Sequence, residues 1–203
     1  MLWLVLSVLL WGLLHSLLAS LKGKELARQV FGVRVNRFYR LAYNIFAAVS
    51  FLPVLVVMFL VSDHSLYSVP FPWSGAMILG EFLAVIALIA GFVQSRPLEF
   101  LGIRQLAPPK ESPAQLKTDG LYHYVRHPLY SAGLAFIWLM PLVTVNVLAI
   151  NIALTFYVVT GAFFEERRLR RDFGQDYSDY MAVTPMFIPF LKGNKSPRKT
   201  SGL

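Results

Sequence analysis

The sequence predicts an all-α polytopic membrane protein of about five transmembrane helices, the last two forming a C-terminal helical hairpin. Three observations predict this class. Of 203 residues, 56% are hydrophobic and only 15% are charged. The apolar residues form blocks of roughly 20 residues or more, the length that crosses a bilayer as a helix. All 19 Lys and Arg residues fall in three segments that these blocks separate, 22–40, 95–127 and 165–203.

The apolar blocks cover residues 1–21, 41–61, 75–94 and 128–164. The last block is about twice as long as one span and is interrupted by Pro141, Thr144 and Asn146, so it is predicted to form a two-helix hairpin that turns near Asn146. In the first block the cations follow the apolar run instead of preceding it. That order favours an uncleaved first helix over a signal peptide.

The distribution of charge predicts the orientation. Placing the three basic segments in the cytosol gives an N-terminus outside the membrane and a cytosolic C-terminus. The net charge of +8 is then explained by topology and by attraction to membrane lipids, with no nucleic-acid partner. The chain contains no cysteine, which excludes disulfides, thiolate zinc sites and a cysteine nucleophile, and no metal site is predicted.

The segments between the spans are predicted to be connectors. Residues 62–74 form an outer connector, and the proline-rich residues 95–120 form an extended or partly helical cytosolic loop over the membrane face, of the long kind that often carries function. We treat residues 1–190 as one integral membrane domain with a motif core at 120–190. Residues 191–203 are predicted to be a disordered basic tail.

The spacing within the hairpin brings two polar motifs together. His127 and Glu165 are 38 residues apart, which leaves 19 residues for each leg if the turn lies at Asn146. At the helical rise, each leg is about 28 Å long, close to the thickness of the hydrocarbon core. The motifs "RHP" and "EE" are therefore predicted to face each other at one depth on the cytosolic side.

The two motifs have complementary charge. Pro128 suits the first position of a helix, whose free amide groups, with Arg126 and His127, form a receptor for a carboxylate or phosphate. Glu165 and Glu166 can receive an ammonium or lie near a sulfonium. Together the groups match a zwitterionic amino-acid moiety. The alternative is that Arg126 and His127 are interfacial anchors and that "EERRLRR" is a solvated juxtamembrane helix.

Other residues are candidates for the same region. Leu169, Phe173, Tyr177 and Tyr180 form an apolar stripe that either lies on the membrane or covers a pocket between the last two helices, with a break at Gly174. His15 and Asn44 share the predicted depth and could line the cavity, although bonding to a neighbouring helix is the commoner role of such residues. Glu81 lies nearer the outer end, where a packing or interfacial role is expected.

The ordered motifs "GLYHYVRHPLYSAG", "EERRLRRDFGQDYSDY" and "VTPMFIPF" resemble the C-terminal half of the isoprenylcysteine carboxyl methyltransferase and phospholipid methyltransferase superfamily. "LLHSLLAS" and "RFYRLAYN" look like its bacterial branch of methanethiol S-methyltransferases and denitrification-associated membrane proteins. The resemblance implies a cytosolic pocket for S-adenosylmethionine in, we expect, a bacterial inner membrane. Carried across by motif, the implied cofactor-binding residues are Tyr124, Arg126, His127, Pro128, Tyr130, Glu165, Tyr177 and Tyr180.

The implied reaction is methyl transfer to a lipophilic or small thiol, carboxyl or amine acceptor, and His127, Glu166 and His15 are candidate bases. The helix before the glutamates reads "YVVTGAFFEE" and lacks the arginine of eukaryotic carboxyl methyltransferases, so a thiol or amine is at least as plausible an acceptor as a carboxyl. Two alternatives remain. One is an NADPH-dependent sterol-type reductase, because such enzymes share a His-Pro-x-Tyr hairpin; the other is a non-catalytic scaffold or sensor.

Overall fold

A computed structural model describes residues 2–107 and 115–191. The helices, in chain order, are α1 (Leu2–Ala19), α2 (Leu21–Phe31), α3 (Val35–Leu60), α4 (Trp73–Gln94), α5 (Pro97–Leu101), α6 (Pro128–Trp138) and α7 (Val145–Val183). Two short strands, β1 (Ser65–Ser68) and β2 (Leu142–Thr144), and 3-10 turns at Arg104–Leu106 and Gly120–His123 complete the architecture. Part of the proline-rich loop, and the predicted disordered tail after Leu191, lie outside the described residues.

The predicted class of an all-α polytopic membrane protein is confirmed. Among the residues that the structure describes, four helices, α1, α3, α4 and α7, are long and apolar enough to cross a membrane. Their large apolar side chains face outward to an extent that water would penalise, as at Phe59, which is 84% exposed. Helix α6 has only 11 residues, about 16 Å of helix, so the count of five spans stays a prediction.

The spanning helices pack in two groups that α7 joins. Helix α1 packs against α3 and α7, and α4 packs against α6, which also contacts α7. The buried core lies in the first group, where Leu4 and Val8 of α1 meet Val54 of α3 and Ile150 of α7. The N-terminal helices are thus held to the C-terminal hairpin through α7.

The predicted position of the hairpin turn was wrong. Helix α6 ends at Trp138 and α7 already begins at Val145, so the turn lies at 139–144 instead of at Asn146. Pro141 has no N–H to continue a helix, and its carbonyl accepts a hydrogen bond from the Val69 amide. The ascending leg therefore finishes as extended chain, which covers more distance per residue than a helix.

The end of the hairpin at this turn is closed by pairing with the connector after α3. Strands β1 and β2 are antiparallel, with Tyr67 opposite Val143. The Asp63 carboxylate accepts hydrogen bonds from the backbone N–H groups of His64 and Asn146 at 2.9 and 3.0 Å. The connector, predicted only as a structural link, thereby fixes the start of α7. We call this the sheet end of the molecule, and the opposite end, where α6 begins, the basic end.

Candidate active site

A cavity of about 1060 Å³ lies at the basic end. Its walls are the last turns of α4, helix α5, the loop before α6, the first turn of α6 and the second half of α7. The pocket was predicted between the last two helices, and the structure adds α4 and α5 as a further wall. The cavity is therefore bounded by the two motifs of the hairpin on one side and by side chains of α4 and α5, among them Phe92, Glu99 and Phe100, on the other.

Arg126 and Glu166 form a buried ion pair that joins the start of α6 to α7. The Arg126 Nε donates to Glu166 Oε1 at 2.6 Å, and both side chains are about 5% exposed. The same guanidinium donates to the carbonyls of Met181 and Thr184, and the Arg126 amide donates to the Pro185 carbonyl at 2.9 Å. These bonds hold the chain after α7 against the segment that leads into α6. Either charge of the pair would be costly to bury alone.

His127 is fixed from several directions. Its amide donates to the Met186 carbonyl at 3.2 Å, and its ring stacks on Tyr130 with centroids 5.3 Å apart. One ring nitrogen, Nε2, is 3.3 Å from Glu166 Oε1, and the other, Nδ1, is 3.8 Å from Glu165 Oε2. The imidazole is thus held between both carboxylates while it lines the cavity.

Glu165 is the carboxylate that faces the cavity. It accepts a hydrogen bond from the Tyr130 hydroxyl at 3.0 Å, and its side chain keeps 34% exposure where Glu166 keeps 5%. The first intrahelical bond of α6 runs from the Ser131 amide to the His127 carbonyl. Leu129 and Tyr130 precede that bond, so their amides are among the donors that the start of a helix leaves without an intrahelical acceptor. A carboxylate and the N-terminal turn of a helix therefore lie at one cavity, an arrangement that suits a zwitterion.

The second half of α7 forms a further wall of the cavity. All four residues of the predicted stripe, Leu169, Phe173, Tyr177 and Tyr180, line it. The predicted break at Gly174 is confirmed, because its φ of 57° and ψ of −122° are not helical and suit glycine alone. The break lies within the stripe, between Phe173 and Tyr177, and the residues on both sides of it line the cavity.

The hydroxyl groups of the two tyrosines in this stripe differ in their hydrogen bonding. The Tyr180 hydroxyl donates to the carbonyl of Tyr122 and so ties α7 to the loop before α6. The Tyr177 hydroxyl is buried beside the Arg126 guanidinium and makes no well-formed hydrogen bond among the described residues. Its side chain lines the cavity, so this hydroxyl keeps capacity for a further polar contact.

The structure gathers most, but not all, of the predicted site residues around the cavity. Those that line it are Arg126, His127, Pro128, Tyr130, Glu165, Tyr177 and Tyr180. Tyr124 does not, and its side chain is exposed beside His123 and Phe190. Glu166 is withdrawn into the ion pair with Arg126.

His15 and Asn44 do not line the cavity, and both instead bond to neighbouring elements, the commoner of the two roles considered for them. His15 Nε2 is hydrogen-bonded to the Tyr43 hydroxyl among the rings of Trp11 and Tyr157. Asn44 donates to the Phe100 carbonyl at 3.0 Å, as Arg40 does at 3.1 Å. Since Phe100 lines the cavity, α3 supports the site from behind without forming its surface.

Sequence reasoning missed the wall opposite the hairpin. It comprises Phe92, Ser95, Arg96, Glu99, Phe100, Lys117, Asp119 and Tyr122, among others. Burial raises the pKa of the Tyr122 phenol and keeps it protonated. The sequence feature that pointed to this wall was the length and proline content of the loop at 95–120, which suggested a functional loop but identified no residue in it.

Comparison with known proteins places these features in a family. The sequence profile described as phospholipid methyltransferase matches residues 76–176. A methanethiol S-methyltransferase of Pseudomonas deceptionensis is 30% identical over 200 residues, covering 94% of this chain and 73% of that protein. Another from Crocosphaera subtropica is 34% identical over 116 residues, 55% of this chain and 45% of its own length.

A plant relative extends the same comparison. Protein-S-isoprenylcysteine O-methyltransferase B of Arabidopsis thaliana is 34% identical over 123 residues, covering 57% of this chain and 56% of its own. The chain thus spans about half the length of the plant and Crocosphaera relatives. No solved structure gives a significant match. All three relatives are named as methyltransferases, which does not favour the reductase alternative.

Proposed function

The chain belongs to the isoprenylcysteine and phospholipid methyltransferase superfamily, in the bacterial branch of the methanethiol S-methyltransferases, and from this we propose that it transfers a methyl group from S-adenosylmethionine to an acceptor at the membrane. One observation carries the proposal. Glu165, His127 and the first residues of α6 line one cavity at the base of the hairpin, and family membership supplies the reaction class.

The residues present fit S-adenosylmethionine. The Glu165 carboxylate suits an ammonium, and the amides of Leu129 and Tyr130 suit a carboxylate. The Tyr177 hydroxyl, buried beside the Arg126 guanidinium, offers a further polar contact, and the rings of Phe92 and Phe100 in the opposite wall suit a flat heterocycle. When bound, S-adenosylmethionine supplies an electrophilic methyl group on a sulfonium.

The protein's own contribution is alignment and exclusion of water. We assign to Tyr130 and the ion pair of Arg126 and Glu166 the task of holding Glu165 and His127 in place. The stripe of α7, broken at Gly174, covers the cavity. Methyl transfer needs little acid chemistry, so the demands on the site are mainly geometric.

For the acceptor, we propose a small thiol, since two of the relatives are named as methanethiol S-methyltransferases. A thiol must lose its proton for the product to be neutral. His127 is the candidate base that the geometry favours, because it lines the cavity and its ring is held in place between the Glu165 and Glu166 carboxylates. We give Glu166 and His15 supporting roles, since neither lines the cavity.

We further propose that the basic end, with the cavity, faces the cytosol of a bacterial cell. The basic segments at this end predict that orientation through the positive-inside rule. A bacterial inner membrane and a cytosolic supply of S-adenosylmethionine agree with it.

Isothermal titration of the purified protein with S-adenosylhomocysteine tests the cofactor site. We expect binding to the parent protein, and Glu165→Gln and His127→Ala to weaken it by about 10- to 100-fold, the range that loss of a hydrogen bond to a charged group implies. Asp172→Asn is the matched control, because this exposed carboxylate on α7 pairs with Arg171 outside the cavity. No binding by the parent, or equal binding by all variants, would refute the site.

A radiolabelled donor then identifies the acceptor. Methanethiol, a prenylated cysteine and phosphatidylethanolamine present a thiol, a carboxyl and an amine. We expect label in dimethyl sulfide and none in the other two products. Label in a lipid product instead would support the methyltransferase activity and contradict the proposal that the acceptor is a small thiol.

A further inference from the structure

Helix α2 has two chemically distinct faces, and no buried residue. At about 100° per residue, Leu26, Val30 and Phe31 fall on one side of the helix, and their side chains are 61%, 65% and 73% exposed. Glu25 and Arg28 fall on the opposite side, while Lys22 and Lys24 flank the apolar side, about 40° from Leu26 and about 20° from Phe31 respectively. The apolar face is therefore not covered by the protein.

Both ends of α2 are attached to membrane-spanning helices. Only Ser20 separates α2 from α1, and only residues 32–34 separate it from α3. The Tyr39 hydroxyl donates to the Leu18 carbonyl at 2.6 Å, so the end of α1 and the start of α3 lie together. A helix of 11 residues is about 16 Å long. If α2 continued in the direction of α1, its far end would lie too far from the start of α3 for the three connecting residues to span the gap.

The turn from α1 into α2 is built for a sharp change of direction. The Ser20 side chain donates to the Leu17 carbonyl at 2.6 Å and accepts from the Gly23 amide at 3.0 Å, so it ends one helix and caps the next. A Cβ at Gly23 would lie only 2.4 Å from the Leu17 carbonyl oxygen. Glycine thus allows α2 to fold down onto the end of α1.

We propose that α2 is an interfacial helix that binds the anionic phospholipid surface at the basic end. The depth of α1 and α3 places it at the boundary of hydrocarbon and headgroups. There its apolar face enters lipid and its cations meet anionic headgroups. The occupant is a lipid surface because the bilayer around α1 and α3 reaches this face without any further partner. Glu25 pairs with Arg28 at 2.8 Å, so Lys22 and Lys24 carry most of the attraction.

The absence of cysteine makes the depth of α2 directly measurable. Single cysteines at Leu26 and Val30 probe the apolar face, and Glu25→Cys and Gln29→Cys probe the polar face. The variants are spin-labelled and reconstituted in vesicles of phosphatidylethanolamine with phosphatidylglycerol. We expect collision with oxygen at positions 26 and 30, and with a water-soluble nickel chelate at 25 and 29. Nickel access at all four positions, or protection of 26 and 30 from both reagents by protein contact, would overturn the proposal.

A second measurement tests the charge. Spin-labelled phosphatidylglycerol and phosphatidylcholine report the preference of the protein for anionic lipid. We expect Lys22→Gln with Lys24→Gln and Arg28→Gln to reduce that preference by about tenfold, since each cation near an anionic surface contributes. The matched control removes the same charge from exposed positions of α7 with Arg167→Gln, Arg170→Gln and Arg171→Gln. An equal loss in both variants would show that net charge acts without α2 and would overturn the assignment.

Discussion

The two ends of the α6–α7 hairpin are both built on buried polar groups, and the large cavity lies at the basic end. At the sheet end, Asn146 is fully buried, its side-chain amide donates to the Val61 carbonyl at 3.1 Å, and Asp63 accepts from its backbone. At the basic end, Arg126 and Glu166 are also buried, but Glu165 and His127 beside them line the cavity.

The difference shows how a single hairpin separates stability from chemistry. Polar side chains at the sheet end bond mostly to backbone groups, and buried backbone groups need hydrogen-bond partners in any case. At the basic end, Arg126 and Glu166 bond to each other, and the adjacent Glu165 and His127 line the cavity. We therefore expect variants of the two ends to separate into those that lose binding and those that lose only stability.

The largest effect is expected at the ion pair. Arg126→Met leaves the Glu166 carboxylate buried without its partner, which should cost about 3–5 kcal/mol of stability and abolish binding of S-adenosylhomocysteine. Thermal unfolding in detergent and titration measure the two losses. The double variant Arg126→Met with Glu166→Leu should recover much of the stability, since no buried charge remains. A single variant as stable as the parent would contradict the structural role of the pair.

A smaller and more selective effect is expected at the sheet end. Asn146→Ala removes the side-chain donor to the Val61 carbonyl and should cost about 1–3 kcal/mol. Because the cavity lies at the opposite end of the hairpin, the affinity for S-adenosylhomocysteine should stay within about twofold of the parent, which is less than 0.5 kcal/mol. The same two measurements apply. Loss of binding without loss of stability would show that the two ends are coupled.

The smallest effect is a pH dependence at Asp63. A hydrogen bond from the Thr144 hydroxyl, with those from the amides of Asn146 and His64, lowers the pKa of this carboxyl. A lowered pKa stabilises the fold fully above the unfolded value of about 4 and loses that stabilisation as pH falls through the folded value. The difference in melting temperature between the parent and Asp63→Asn should therefore be largest near neutral pH and shrink below pH of about 4. A difference independent of pH would rule out the ionised form.

Much of the candidate site could be predicted from its spacing along the chain. The facing of "RHP" and "EE" is confirmed by the contacts of Arg126 with Glu166 and of Tyr130 with Glu165. That prediction succeeded although the turn was misplaced, because the extended chain around Pro141 compensates for the short α6. The misplaced turn therefore did not change which residues of the two legs face each other.

The contributions of α4, α5 and α3 were not predictable in the same way. Phe100 reaches the cavity wall because α5 follows an irregular turn and because Arg40 and Asn44 bond its carbonyl across 56 or more residues of sequence. Such contacts depend on how loops fold over the helices. No periodicity in the loop reports them.

The sequence by itself determined the membrane class, the segregation of cations and the common depth of the two hairpin motifs. These follow from quantities that vary little, namely the rise of a helix and the thickness of a bilayer. Only the tertiary structure decided which glutamate faces the cavity. Glu165 and Glu166 are neighbours separated by about 100° around α7, so the rotation of that helix against α6 turns one to the cavity and the other to Arg126. Packing sets that rotation, and the order of residues does not reveal it.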